Sequence, residues 1–180
     1  MTLLTRLLRP LFGSRPDEHA AIRPLWHRVV EIAREKAWYG KLGIADTVPG
    51  RFDAITLVLA LVLLRLEAEA DLAIPSVRLT ELFVDDMDGQ LRESGVGDLV
   101  VGKHVGRLMG VLGGRLGVLR ETLAQGEDGP LAAALARNVT LRERARPEPL
   151  AAAVRVLTAQ LAALAPAQLL AGDIPVRDLP

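Results

Sequence analysis

The chain has 180 residues, half of them hydrophobic, and its 22 basic side chains balance 22 acidic ones. That length fits one domain with a substantial core, and zero formal charge argues against a nucleic-acid partner, which calls for a basic face to displace counterions from phosphate. The absence of cysteine excludes disulfides, thiolate metal sites and cysteine catalysis. Only six residues are aromatic (Phe12, Trp26, Trp38, Tyr39, Phe52, Phe83), so the core is left to Leu, Val and Ala. Alanine and leucine favour helix, and no run of alternating β-branched residues interrupts them. The expected fold is all-α: a single-domain bundle of about six to seven helices with an N-terminal amphipathic segment.

Residues 1–16 read as a basic arm, with Leu3, Leu4, Leu7, Leu8 and Leu11 at helical spacing and Arg6, Arg9 and Arg15 between them. No small-residue cleavage site follows, so a signal peptide is not expected. Such an arm either lies on a membrane surface, with Leu4, Arg6, Leu8 and Arg9 as its contacts, or docks on its own domain. The helical domain is expected over 17–172 and a loose tail over 173–180. A first helix is predicted over 24–37, where Leu25, Val29, Ile32 and Ala33 form a stripe and Pro24 suits the first turn. Gly40, Gly43, Pro49 and Gly50 mark turns. Asp53 is expected to cap a second helix over 54–70. Its apolar run, ITLVLALVLL, is ten residues long, short of the ~20 that a bilayer needs, and reads as a helix buried on all sides. A third helix opens at Pro75 and ends near 94–95, and a fourth, capped by Asp98, reaches about 125. A turn over 126–130, a short helix over 131–138, a flexible loop rich in arginine and proline over 139–149, and a last helix over 150–165 complete the chain.

The segment 84–109, VDDMDGQLRESGVGDLVVGKHVGRLM, carries the most information. On the third helix Leu79, Phe83, Met87 and Leu91 share one face, while Asp85, Asp88 and Arg92 point away. Asp86 falls with Gln90 beside the apolar stripe, where a carboxylate needs a donor. It is therefore expected to act as a structural clamp, with Arg51, Lys103 and Arg107 as candidate partners, and Asp53 and Asp98 complete the structural set. On the fourth helix Gly102, Gly106, Gly110, Gly113, Gly114 and Gly117 fall in one band. Each interior glycine disfavours helix by about 1 kcal/mol relative to alanine, a deficit that close approach of another backbone offsets. Two readings stand. In one, Gly102, Lys103, Gly106, Arg107 and Gly110 line a smooth, positively edged groove for an apolar segment of another protein. In the other, a helix of the same domain crosses the band.

Asp85, Asp86 and Asp88 invite a divalent-metal hydrolase, yet His19, His27 and His104 are not spaced to share a ligand set with them. No phosphate-binding loop, nucleophile elbow or His-Glu-x-x-His motif appears. No catalytic residue, cofactor or metal is expected.

The blocks WYGKLGIADTVPGRFD (38–53) and FVDDMDGQLRESGVGDLVVGKHVGRLM (83–109), with GGRLGVLRETLAQG and LAAALARNV behind them, resemble the ubiquinol–cytochrome c chaperone family. These are bacterial relatives of the mitochondrial factor that assists cytochrome b, and the likeness runs over about 22–140. Matching positions include Tyr39, Asp46, Gly50, Arg51, Phe52, Asp53, Asp86, Met87, Asp88, Gly97, Asp98, Gly102 and Lys103. The resemblance implies a non-catalytic assembly factor for the cytochrome bc1 complex that binds an apolar segment of unassembled cytochrome b. It implies cytochrome b or another bc1 subunit as partner; the expected location is cytoplasmic, with peripheral contact on the inner membrane face as the option that the arm opens. Proximity to the ribosome is a family analogy alone. The chain departs from the family where basic residues are usual, at Gly89, His104 and Gly106, and at Leu112–Gly113, where an aromatic pair is usual. The competing reading is a helical module that self-associates through its groove.

Overall fold

The computed structural model describes residues 18–93 and 98–175, and their side chains outside 91–105. The arm contacts Leu4, Arg6, Leu8 and Arg9 lie outside the described residues. So do the side chains of Asp98, Gly102 and Lys103.

The fold is all-α, built around the apolar run the sequence singles out. In helix α3 (Val48–Glu67) every residue from 56 to 63 is buried, and each fully buried Val or Leu side chain is worth about 1.5–3 kcal/mol. Four helices pack against it: α1 (Arg23–Ala33), α4 (Ala73–Glu93), α5 (Asp98–Ala124) and α7 (Glu148–Ala162). The short α2 (Lys36–Gly40) precedes α3, α6 (Asp128–Asn138) bridges α5 and α7, and α8 (Pro166–Ala171) returns to α1. A 3-10 turn, Ala70–Leu72, leads into α4. Leu79, Phe83 and Met87 face inward as their spacing by four requires. Phe83 meets Trp26 of α1 edge-on at 6.1 Å and Phe52 of α3 at 6.5 Å, so three helices share one aromatic contact.

Two helix boundaries differ from expectation. The helix expected over 24–37 stops at Ala33, and Glu35 is extended before α2 begins. The break is held by side chains that replace the lost ladder: Trp38 Nε1 donates to the Ile32 carbonyl and the Tyr39 hydroxyl to that of Ala33, both at 2.7 Å. The central helix starts at Val48, not at 54, and its cap is Thr47, whose Oγ1 accepts the Gly50 N–H at 3.3 Å. Pro49 is tolerated there because first-turn N–H groups have no helical partner anyway. Asp53 therefore lies inside the helix and caps nothing.

Gly50 is required by close approach. A Cβ at this position would sit 1.9 Å from the Ala45 carbonyl oxygen, which is backbone and cannot swing away. Gly50→Ala is expected to destabilise the fold by about 3 kcal/mol, the upper end for overpacking. At about 2–4 °C per kcal/mol for a chain of this size, thermal unfolding should show a clear drop. An unchanged melting temperature would contradict this account of the turn.

The segment 139–149, expected to be the flexible part, is sewn to the loop before α3. Ile44 and Leu141 form an antiparallel bridge, the Ala45 N–H donates to the Thr140 carbonyl at 2.9 Å, and the Arg142 N–H donates to that of Gly43 at 2.8 Å. The Arg142 side chain adds a bond to the Gly40 carbonyl at 2.9 Å. Ile174, expected in the loose tail, is buried, and Arg28 Nε and Nη2 donate to its carbonyl at 3.1 and 2.8 Å.

Candidate protein-binding groove

Helix α5 turns one face to the core and another to solvent. Leu112, Arg115, Leu119 and Thr122 are buried, at spacings that form one stripe against α3. Met109 is 39% exposed. The glycines lie off the buried stripe: Gly106, Gly110, Gly113, Gly114 and Gly117 are exposed, and a Cβ added at any of them would meet nothing within 4 Å beyond the helix's own backbone. At these five positions no described helix crosses the band, so among the described residues the intramolecular crossing is not seen.

Beside the glycines the surface is concave. A hollow of about 1080 Å³ has an apolar floor of Phe52, Ile55, Met87, Leu108 and Val111, with Val48 at its rim 83% exposed. A second hollow of about 480 Å³ runs past Gly110 and Gly114 to residues 137–140. Asp53, Val111 and Thr140 line both, so the two form one groove along α5. Its larger end carries Arg34, Lys36, Arg51 and Arg107. Arg51 is tied to Asp46 at 2.7 Å. The hydrogen bond from Arg51 holds the Asp46 carboxyl below the usual range, and Asp46 in turn raises the guanidinium. Burial pushes the Tyr39 phenol up, Asp46 adds to this, and Arg51 and Arg34 oppose it. Among the described residues Arg34, Lys36 and Arg107 make no ion pair, so the rim holds positive charge that the fold does not consume.

Below the groove lies a buried ionic knot. Arg115, 4% exposed, pairs with Asp53, 13% exposed, at 2.9 Å. The guanidinium also donates to the Asp53 carbonyl at 2.9 Å, to Thr56 Oγ1 and to the Asn138 carbonyl. Asp53 Oδ2 accepts the Thr140 N–H at 2.8 Å and its hydroxyl at 2.7 Å. One charge pair thus fastens α3, α5 and the segment after α6 at the groove's floor. Arg115 is the residue that sequence reasoning missed. Its signal is positional, an arginine three residues after Leu112 and four before Leu119, inside the helix's apolar stripe.

Among the described residues Asp86 meets neither Arg51 nor Arg107, and the side chain of its third candidate partner, Lys103, lies outside them. Asp86 is exposed, its carboxylate accepts among the described residues only a long 3.5 Å bond from Gln90 on its own helix, and Arg51 is engaged by Asp46. One helical step turns a side chain by about 100°, and that step puts Met87 inside and Asp86 outside. Asp85 is likewise exposed and Asp88 half-buried. Among the described residues no three His, Cys, Asp or Glu side chains gather as metal ligands.

An all-α domain with an open apolar groove, a bare helix wall and a cationic rim belongs to the class of helical modules with a concave face, and this is what fold and geometry define. The sequence narrows the class. Residues 40–176 match the family model described as ubiquinol-cytochrome C chaperone, and the chain belongs to that family of assembly chaperones. It is also similar to a solved structure, described as the crystal structure of the Cbp3 homolog from Brucella abortus. The two share 29% identity with a TM-score of 0.78 over 98% of each chain. No curated protein matches the chain significantly.

Proposed function

We propose that the groove along α5 is a client site that shields an apolar segment of unassembled cytochrome b during assembly of the cytochrome bc1 complex, without catalysis. The observation that carries this reading is a run of helical glycines left open to solvent beside an apolar hollow. Glycine disfavours helix, and at Gly106, Gly110, Gly113, Gly114 and Gly117 no contact among the described residues offsets the deficit. A bare wall instead lets a foreign backbone come close. The cations at the larger end match a client whose apolar segment is flanked by carboxylates. Steering by these charges raises the rate of encounter more than the final affinity. A second element is the arm. Leu4, Arg6, Leu8 and Arg9 suit contact with an anionic bilayer, which would place the chaperone on the inner membrane face. No described helix is long and apolar enough to cross a membrane.

A photocrosslinking side chain at Val48, on the rim, should capture cytochrome b in cell extracts making the complex. The same group at Ala159, exposed on α7 and lining neither hollow, should not. Equal capture from both positions, or capture only of a second copy of this chain, would count against the client site.

A further inference from the structure

Outside the groove, α4 carries an apolar patch that the described residues leave open. Ile74 is 66% exposed and Val77 59%, and a spacing of three sets them one above the other on the same face. That face continues through Arg78 and Glu81, and both hold the beginning of the described chain. Arg78 donates to the Glu18 carbonyl and pairs with its carboxylate at 3.3 Å, while His19 pairs with Glu81 at 3.0 Å. Going from residue 19 back to 18, the chain moves from Glu81 to Arg78, toward the start of α4. A chain continued on that course would come to Val77 and Ile74. The reach is ample: Ile74 lies about 6 Å along the helix from Arg78, and the six peptide steps from Glu18 back to Phe12 span up to ~20 Å when extended.

The chemistry of what arrives also fits. Leu3, Leu4, Leu7, Leu8 and Leu11 fall at helical spacing, with Arg6 and Arg9 among them. Asp71, exposed just before α4, makes no ion pair among the described residues. Its charge favours the basic arm and opposes an anionic bilayer at this patch. We propose that the arm seats its leucine face on Ile74 and Val77 of the same chain. An amphipathic segment has one apolar face, so this berth and a bilayer exclude each other. The competition rests on the membrane reading above; the berth does not.

The test uses the full chain. Chymotrypsin cleavage after Phe12 reports how often the arm is free, because cleavage follows the open population when reclosing is fast, and Ile74→Asp/Val77→Asp should raise its rate about ten-fold. Both positions are mostly exposed, so the melting temperature should hold. Leu4→Ser/Leu8→Ser should raise cleavage as well, from the other side of the contact. The α4 variant should also float more with phosphatidylserine-containing vesicles, and the arm variant less. Faster cleavage with no vesicle binding in any variant would support the berth while removing the membrane reading. Unchanged cleavage in the α4 variant would overturn the berth. So would a dimer, seen by light scattering, that the α4 variant splits and deletion of residues 1–16 leaves intact, since a second copy would then occupy the patch.

Discussion

Asp53→Ala is expected to destabilise this protein by about 3–5 kcal/mol, because it strands a buried cation. The Arg115 guanidinium is 4% exposed and would lose its only carboxylate partner in the knot, and Thr140 would lose the acceptor of both its N–H and its hydroxyl. At about 2–4 °C per kcal/mol for this chain length, the melting temperature should fall by roughly 10 °C. The double variant Asp53→Ala/Arg115→Met should recover part of that loss, since a buried ion pair replaced on both sides by apolar groups is often near neutral. A single variant that melts with the wild type would mean that water reaches the guanidinium, and the knot would lose its structural role.

Gly110 should separate stability from client binding, with opposite signs. A Cβ there meets nothing within 4 Å, so Gly110→Ala is expected to stabilise the fold by up to about 1 kcal/mol through helix propensity alone. Gly110→Leu should fold as well as the wild type but obstruct the groove, since Gly110 lines the smaller hollow beside Val111. Its recovery of cytochrome b in a pull-down should drop about ten-fold, in line with a lost contact of about 1.4 kcal/mol. If alanine lowered the melting temperature, the glycine would be serving the protein's own packing. If leucine left client recovery intact from a folded protein, the groove would not be the client site.

Both outcomes bear on how the surface is divided. The groove's apolar floor comes from α3, α4 and α5, and its cations come from the segment before α3, from α3 itself and from α5. The patch at Ile74 and Val77 is on α4 but belongs to a different face from the inward Leu79, Phe83 and Met87. Client site and arm berth can therefore be altered independently, and a variant of one that changed only the other's readout would show that this division is mistaken.

Where local rules govern, the amino-acid pattern is a reliable guide here. The leucine and alanine content leads to an all-helical fold, and spacing by four puts Leu79, Phe83 and Met87 in the core. The blocks at 38–53 and 83–109 point to the family whose model the chain matches. Pro49 and Gly50 mislead, because turn-forming residues are equally suited to a helix's first turn, and only the Thr47 cap and the nearby Ala45 carbonyl show which applies.

Other features lie beyond any local pattern. Arg115 finds its partners 23 to 62 residues away in the chain, and no periodicity encodes a pairing at that distance. Asp86 was expected to need a partner because it stands next to the apolar stripe, yet one helical step is enough to leave it in water. The glycine band is visible in the amino-acid order, but whether another helix covers it depends on the path of every other element. Composition and periodicity thus determined the helices and their inward faces, and the motif blocks carried the likeness to the family. Tertiary structure alone decided which charges are buried together and which apolar surface stays open, because both depend on neighbours that are remote in sequence and adjacent only after folding.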